Sequence, residues 1–326
     1  MKIEVIDAGH GDCILVTCGK VLILIDSGPK NFKVRKNVID RLKGLLDGRA
    51  IDIAVVTHND DDHIGGYKYI LDSDIPIKKF IFNSLSYISK ILKVKSDNKQ
   101  ISYQQDIDLD KLLKELNIEA LALNASDKAI YYKPDLKIIP LTPNISALTA
   151  IFDDAIKKNK QISKLAKTEL SITECLEYIR KGQDHFEKDR SITNKSSLSL
   201  IIEYQNNSVL FLGDSHEEDV VNALNSNEIS NFKAVKLSHH GSEKNTSSKL
   251  ISLIGKTEYI LCGDKSSHEH PNRKTISRIL NFDSTPTIHL SADNSKVRQM
   301  FVECEDAGFK VDVSYPTDKV NRVIYE

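Results

Sequence analysis

The sequence predicts an α/β protein in which two mixed β-sheets pack face to face with helices on the outside. Three observations lead there. Short aliphatic and β-branched runs gather in two blocks, one ending near Phe82 and one resuming at Leu136. Segments with helical spacing lie between and after them. The chain has 326 residues, 40% of them hydrophobic, enough for a sizeable core in one domain spanning residues 1–326.

The elements follow in order. Lys2–Asp7, Cys13–Thr17 and Val21–Asp26 are apolar runs broken by Gly9, Gly11 and Gly19, which predicts three antiparallel strands. Val34–Leu46 places Val34, Val38, Ile39, Leu42, Leu45 and Leu46 on one helical face. Ile51–Thr57 reads as a buried strand and Ile77–Phe82 as another. Leucines at 109, 112, 113 and 116 make Asp108–Leu116 a helix. After the strand-like Leu136–Leu141, Ala147–Arg190 turns rich in Lys, Glu, Ala and Ile, with one glycine and no proline. It is expected to be a helical insertion, residues 147–190, of one or two helices. Strands return at Leu198–Glu203, Val209–Leu212, Lys233–Leu237 and Tyr259–Cys262, with helices at Glu217–Leu224, Ser247–Ile254 and Arg273–Leu280. The tail is read as strand at Lys310–Val313 and Arg322–Tyr325.

Composition excludes more than it identifies. With 45 basic and 46 acidic side chains the net charge is −1, so no global basic field argues for nucleic acid. The longest clean apolar run, Val21–Ile25, is far short of the roughly 20 residues that span a bilayer. Nothing at the start has the layout of a secretory signal. Cys13, Cys18, Cys175, Cys262 and Cys304 are scattered and form no CxxC, so they are expected to be buried free thiols in a reducing cytoplasm. No GxGxxG, P-loop or GxSxG occurs.

The densest polar cluster is Thr57-His58-Asn59-Asp60-Asp61-Asp62-His63-Ile64-Gly65-Gly66, at the end of an apolar strand. Strand pairing fixes the backbone before it, and the loop can aim His58, Asp60, Asp62 and His63 into one cavity. So many carboxylates side by side repel one another unless cations compensate, which points to metal.

Here the residues carry a resemblance. HxDxDHxGG resembles the HxHxDH signature of metallo-β-lactamase-fold hydrolases, with Asp60 at the second histidine. VIDAGHGDCILV followed by LILIDSG is similar to the opening strands of that fold in the ComEC-like branch. NKSSLSLII, VLFLGDSHEED, LSHHGS and GDKSSHEHPN resemble its later motifs, in the same order. The match runs from about residue 3 to 280, outside the insertion.

The resemblance implies an αββα sandwich and a two-metal site. His58 and Asp60 would hold one ion; Asp62, His63 and His270 would hold the second; Asp214 would bridge them. Asp26 would support the ligands from behind. Two departures stand out: Asp60 replaces an imidazole, and the usual third-motif histidine is missing where Asn194, Ser196 and Ser197 stand. The resulting oxygen-rich set shifts preference from Zn²⁺ towards Mn²⁺ or Mg²⁺, with Mn²⁺ favoured. Adjacent side chains at a strand end point oppositely, so at most one of His239 and His240 is expected to face the metals, as proton donor or phosphate holder. Of His268 and His270, the Pro271 that follows ranks His270 higher, while His10 is read as glycine-loop structure.

The leading functional expectation is a metal-dependent phosphodiesterase acting on DNA through a metal-bound hydroxide, with Asp62, His239 and His240 in the reaction. Alternatives are a small-molecule phosphodiesterase and a regulatory subunit without chemistry. Lysine clusters (Lys30, Lys33, Arg35 and Lys36; Lys78, Lys79, Lys90, Lys93 and Lys95; Lys157, Lys158, Lys160, Lys164 and Lys167) are the candidate phosphate-binding surfaces, though charge runs are usually solvated faces. Tyr67, Tyr69, Tyr87 and Tyr103 could stack bases, with core or surface roles as the plainer reading. The insertion is expected to dock a protein partner or gate substrate.

Overall fold

The computed structural model describes residues 1–93, 103–157, 169–227 and 229–326. In chain order its strands are β1 (Lys2–Ile6), β2 (Ile14–Cys18), β3 (Val21–Ile25), β4 (Ile53–Val56), β5 (Lys79–Phe82), β6 (Glu119–Leu121), β7 (Ile130–Lys133), β8 (Leu136–Pro140), β9 (Leu200–Tyr204), β10 (Asn207–Phe211), β11 (Ala234–Lys236), β12 (Glu258–Leu261), β13 (Thr287–Leu290), β14 (Asp312–Ser314) and β15 (Val320–Ile324). The helices are α1 (Phe32–Leu46), α2 (Asp61–Ile64), α3 (Tyr67–Leu71), α4 (Leu85–Ile91), α5 (Gln104–Glu115), α6 (Ile145–Lys157), α7 (Ile172–Arg180), α8 (Ile192–Lys195), α9 (Glu217–Asn227), α10 (Ser248–Ile254), α11 (Arg273–Phe282) and α12 (Ser295–Asp306).

Two mixed sheets result. The first runs β15-β1-β2-β3-β4-β5-β6, antiparallel up to β3 and parallel from β3 onward. The second runs β14-β13-β12-β11-β10-β9-β8-β7, parallel from β14 to β10 and antiparallel beyond. Side chains alternate across each sheet, so each strand feeds two cores. Ile14 and Val16 of β2 meet Ile202, Val209 and Phe211 of the second sheet in the central layer. Leu15 points the other way, with Leu22 and Leu24, onto Val38, Leu42 and Leu46 of α1. On the far side, Ile201, Leu210, Val235 and Leu261 pack against helices that include α9, α10 and α11. The architecture is therefore helix, sheet, sheet, helix, as the sequence predicts.

α1 begins two residues before its predicted start because the Asn31 side chain accepts hydrogen bonds from the Lys33 and Val34 N–H groups. α5 likewise begins earlier than predicted, at Gln104. The sequence reading passed over β6, β7, β13, α3, α4, α8 and α12. Within 147–190, α6 starts at Ile145, α7 ends at Arg180, and residues 183–190 form no helix. This non-helical strap is pinned to the second sheet's helices: Asp184 accepts two hydrogen bonds, each 2.8 Å, from Nε and Nη2 of the buried Arg278 on α11. Arg278 Nη1 also donates to the Glu243 and Thr246 carbonyls. Lys95, Lys158, Lys160, Lys164 and Lys167 lie outside the described residues. All five cysteines are buried and free. No helix among the described residues is long and apolar enough to cross a membrane.

Candidate metal centre

The centre forms where parallel strands of both sheets end. β4 delivers Thr57 and His58, and the turn into α2 carries Asp60, Asp62 and His63. β10 delivers Gly213 and Asp214, β11 delivers Lys236 and the His239-His240 turn, and the segment after β12 brings His270. Crevices at the carboxyl ends of strands are where α/β sheets gather polar groups that no ladder uses. Local sterics fix the approach. A Cβ at Gly65 would collide with the Asp61 carbonyl and the Lys30 N–H, and one at Gly66 with the Ser27 carbonyl, so the Gly-Gly pair lets the α2 turn seat against Ser27–Lys30. Gly213, at φ 48°, likewise lies against Ser197, whose hydroxyl accepts from the Asp214 N–H at 3.0 Å.

Four imidazoles share one arrangement: Nδ1 is held by the protein, and Nε2 faces the carboxylate of Asp214. His58 Nδ1 lies 3.1 Å from Thr57 Oγ1, and His63 Nδ1 2.8 Å from Asp26 Oδ2. His239 Nδ1 lies 3.1 Å from Asn245 Oδ1, and His240 Nδ1 2.9 Å from Asp12 Oδ1. The Nε2 atoms of His58, His239 and His240 lie 3.7, 3.7 and 3.8 Å from Asp214 Oδ2, and that of His63 lies 3.4 Å from Oδ1. Asp60 Oδ2 approaches His58 Nε2 at 3.6 Å, and Asp62 Oδ2 approaches His240 Nε2 at 3.1 Å. His270 stands at the edge, its ring edge-on to His239 at 4.7 Å and stacked on His240 at 6.3 Å. All the sequence-predicted site residues are thus brought to one place.

Three of these buried atoms, His58 Nε2, His63 Nε2 and Asp214 Oδ1, have no hydrogen-bond partner. An unpaired buried polar atom costs about 1–3 kcal/mol, so three converging on one point need an occupant. Nitrogen and carboxylate donors at this spacing suit a divalent cation. One ligand atom each from Asp12, His63, Asp214 and His240 lies within 4.8 Å of the others.

Without a cation, the carboxylates and imidazoles of the centre charge one another. Burial disfavours the ionised carboxylate, yet His63, His240, His239 and His58 hold Asp214 well below the usual range. Burial also favours a neutral His240 ring, but Asp214, Asp12 and Asp62 raise it to about 9. Against the same penalty, Asp214, Asp26 and Asp62 raise His63. His270 goes the other way: burial first, then the neighbouring His239 and His240 rings, keep it neutral. A neutral imidazole is the form a metal ligand needs.

Both histidines of the HHGS element face Asp214, which corrects the expectation that only one would. The sequence reading assumed extended backbone; instead His239 (φ 49°) and His240 (φ 54°) both take the left-handed conformation, turning their rings to the same side. Two non-glycine residues held this way cost roughly 1–2 kcal/mol each, and such strain gathers at functional sites.

Several site residues escaped the sequence reading. Asp12 lay unmarked inside the opening strand motif. Lys236, buried in β11, pairs with Asp12, donates to the Gly213 carbonyl at 3.0 Å and lies 3.9 Å from Asp214 Oδ1. A lysine at the buried end of an otherwise apolar strand was the available signal, since such a residue is rarely interred without a partner. Asp189 and Asn245, beside His239, had no local signal. Asp26 Oδ2 accepts from the Thr57 hydroxyl at 2.7 Å and Oδ1 from the Thr57 N–H at 2.8 Å, so Asp26 orients His58 and His63 together.

No family profile matches the chain. An uncharacterized protein of Methanocaldococcus jannaschii is 28% identical over 114 residues, covering 35% of this chain and 41% of that protein, so the match takes in less than half of that relative. Among solved structures, zinc-bound PqqB from Methylobacterium extorquens is similar over the whole of both chains, at 10% identity and a TM-score of 0.47. Human tRNase Z, short form, is similar over 89% of this chain and 92% of its own, at 9% identity and a TM-score of 0.38. A metallo-β-lactamase from Cronobacter sakazakii is similar over 77% and 89%, at 10% identity and 0.39.

Proposed function

We propose that the chain is a metal-dependent phosphodiesterase of the metallo-β-lactamase fold, ComEC-like branch, whose substrate is DNA. The observation that carries this reading is the approach of the His58, His63 and His239 Nε2 atoms to the Asp214 carboxylate, with His58 Nε2, His63 Nε2 and Asp214 Oδ1 buried and unpaired. His58 and Asp60 would hold one ion, Asp62, His63 and His270 the other, and Asp214 would be shared by both. Bound there, two ions supply a water of lowered pKa and neutralise phosphate charge. Manganese is favoured over zinc or magnesium because Asp60, Asp62 and Asp214 contribute oxygens.

The chain's own groups do the rest. Asp26, Asp12 and Asn245 fix the imidazoles by their Nδ1 atoms, so no reorganisation is needed when substrate arrives. His240 keeps a proton on Nε2, hydrogen-bonded to Asp62 Oδ2, in position to pass it to a leaving oxygen. At the rim, Lys30 lies 3.6 Å from Asp61, and Lys33 and Lys36 are exposed on α1 beside it, a basic edge for a polyanion. The 147–190 segment carries a separate proposal, a protein partner, supported by the exposed Ile156, Leu170 and Tyr178.

Cleavage of linear and circular, single- and double-stranded DNA with Mn²⁺, Mg²⁺ or Zn²⁺ tests the function, beside Asp62→Ala. Metal-dependent cutting abolished by the substitution is expected. A metal-loaded protein that leaves every DNA intact but hydrolyses a small phosphodiester would replace DNA as the substrate; one that hydrolyses neither would overturn the phosphodiesterase.

A further inference from the structure

Where the resemblance expects a third-motif histidine the chain offers Asn194, Ser196 and Ser197, and no imidazole enters the centre from α8 or the segment between α8 and β9. His239 Nε2 faces Asp214 Oδ2 at the same 3.7 Å as His58 Nε2. What holds its ring there comes from outside the motifs. Asp189, in the strap between α7 and α8, presents Oδ2 3.4 Å from His239 Nδ1. Asn245 Oδ1 lies 3.1 Å from the same nitrogen, and Asn194 Nδ2 lies 3.2 Å from it. The two amides converge on the carboxylate: Asn194 Nδ2 donates to Asp189 Oδ2 at 2.7 Å, and Asn245 Nδ2 donates to it at 3.1 Å. The Ser191 N–H donates to Oδ1 at 2.9 Å, and the Asp189 N–H donates to the Lys244 carbonyl at 3.1 Å. Asp189 is therefore locked on all sides. Asn245 Oδ1 can accept a proton from His239 Nδ1, and the Asp189 carboxylate beside it favours that protonated Nδ1, an arrangement that leaves the Nε2 lone pair for the centre.

We infer that Asp189 is a positioning residue that makes His239 the replacement for the missing third-motif histidine, with Asn194 holding the Asp189 carboxylate. The inference rests on the two-metal reading above. It assigns the strap a role in assembling the site: the segment latched by Asp184 to Arg278 delivers, five residues later, the carboxylate that sets one ligand's tautomer.

The test is binding of Mn²⁺ to metal-free protein, read by calorimetric titration and by the spin-coupled two-manganese signal in electron paramagnetic resonance. The wild type is expected to bind two ions. Asp189→Ala should weaken one of them 10–100-fold, leave the other unchanged, and give a one-manganese signal at concentrations that fill both sites in the wild type. Asp189→Asn, which keeps the side chain's volume and removes its charge, should also weaken that ion and leave the other unchanged; if Asp189→Ala does not fold, it is read by the same criteria. Wild-type affinities for both ions, or equal weakening of both, would overturn the role of Asp189. A wild type that binds no manganese, zinc or magnesium would overturn the metal reading itself, a result visible before any variant is made.

Discussion

Replacing Asp26 by alanine and by asparagine should rank the two variants oppositely in stability and in metal affinity. Asp26 is wholly buried and accepts three hydrogen bonds, two from Thr57 and one from His63 Nδ1. Alanine leaves those three donors without a partner, at about 1–3 kcal/mol each, so roughly 3–6 kcal/mol is lost after partial relaxation. Asparagine keeps the volume and an oxygen for the Thr57 N–H, and the Thr57 hydroxyl can turn to accept. Two charge-assisted bonds become neutral ones, a loss of about 1–3 kcal/mol. For the metal the order reverses. The amide N–H now faces His63 Nδ1, which must accept, so the ring proton moves to Nε2, 3.4 Å from Asp214 Oδ1. The ligand lone pair is gone unless the tautomer is forced back. Partners of this kind alter metal affinity 10–100-fold, or about 1.4–2.8 kcal/mol. Alanine imposes no tautomer and should weaken binding less. Urea unfolding of metal-free protein and calorimetric titration with Mn²⁺ give the two rankings. If asparagine binds manganese as tightly as aspartate, the supposed orientation of His63 is wrong.

Two further outcomes follow from buried charges. Lys236→Met removes the fixed cation beside Asp12 and Asp214, which should cost the metal-free protein about 3–5 kcal/mol, as breaking a buried pair does. Added Mn²⁺ should recover more of that loss than it adds to the wild type, and equal metal-induced shifts in thermal melts would refute the compensation. Asp106, on α5, is raised to about 8, chiefly by burial and further by Asp110, against the Leu85 N–H and Lys114. Its folded form holds a proton that the unfolded chain has released above about pH 4, so the wild type loses stability as pH rises towards 8. Asp106→Asn should therefore gain on the wild type by up to about 1 kcal/mol per pH unit between pH 5 and 8, and level off above. Parallel stability curves for the two proteins would show that Asp106 is ionised in the fold.

The sequence made legible what is local. The His58–Gly66 cluster is contiguous, and its position after β4 follows from an apolar run. Continuous apolar runs mark most strands, because both faces of each sheet are covered and each strand feeds a core on either side. β13 was missed: Thr287–Leu290 is four residues long and carries His289, so it reads as a turn until β12 and β14 flank it. β6 is a three-residue edge. The histidine pair misled because direction was inferred from an extended backbone, and nothing in the letters LSHHGS announces two left-handed residues. Asp189 and Asn245 converge on His239 from sequence separations of 50 and 6 residues, through packing that only the assembled second sheet provides.

The proposed ligands reach the centre from both sheets: His58, Asp60, Asp62 and His63 follow a strand of the first, while Asp214, His239 and His270 follow strands of the second. An ion lodged among them would act as a rivet through the seam of the sandwich. Sliding one sheet against the other would then require breaking coordination bonds, so an unloaded copy would open at that seam sooner than a loaded one. Starved of metal, such a protein would show proteases its interior first where it is idle, and turnover would remove the copies that cannot work.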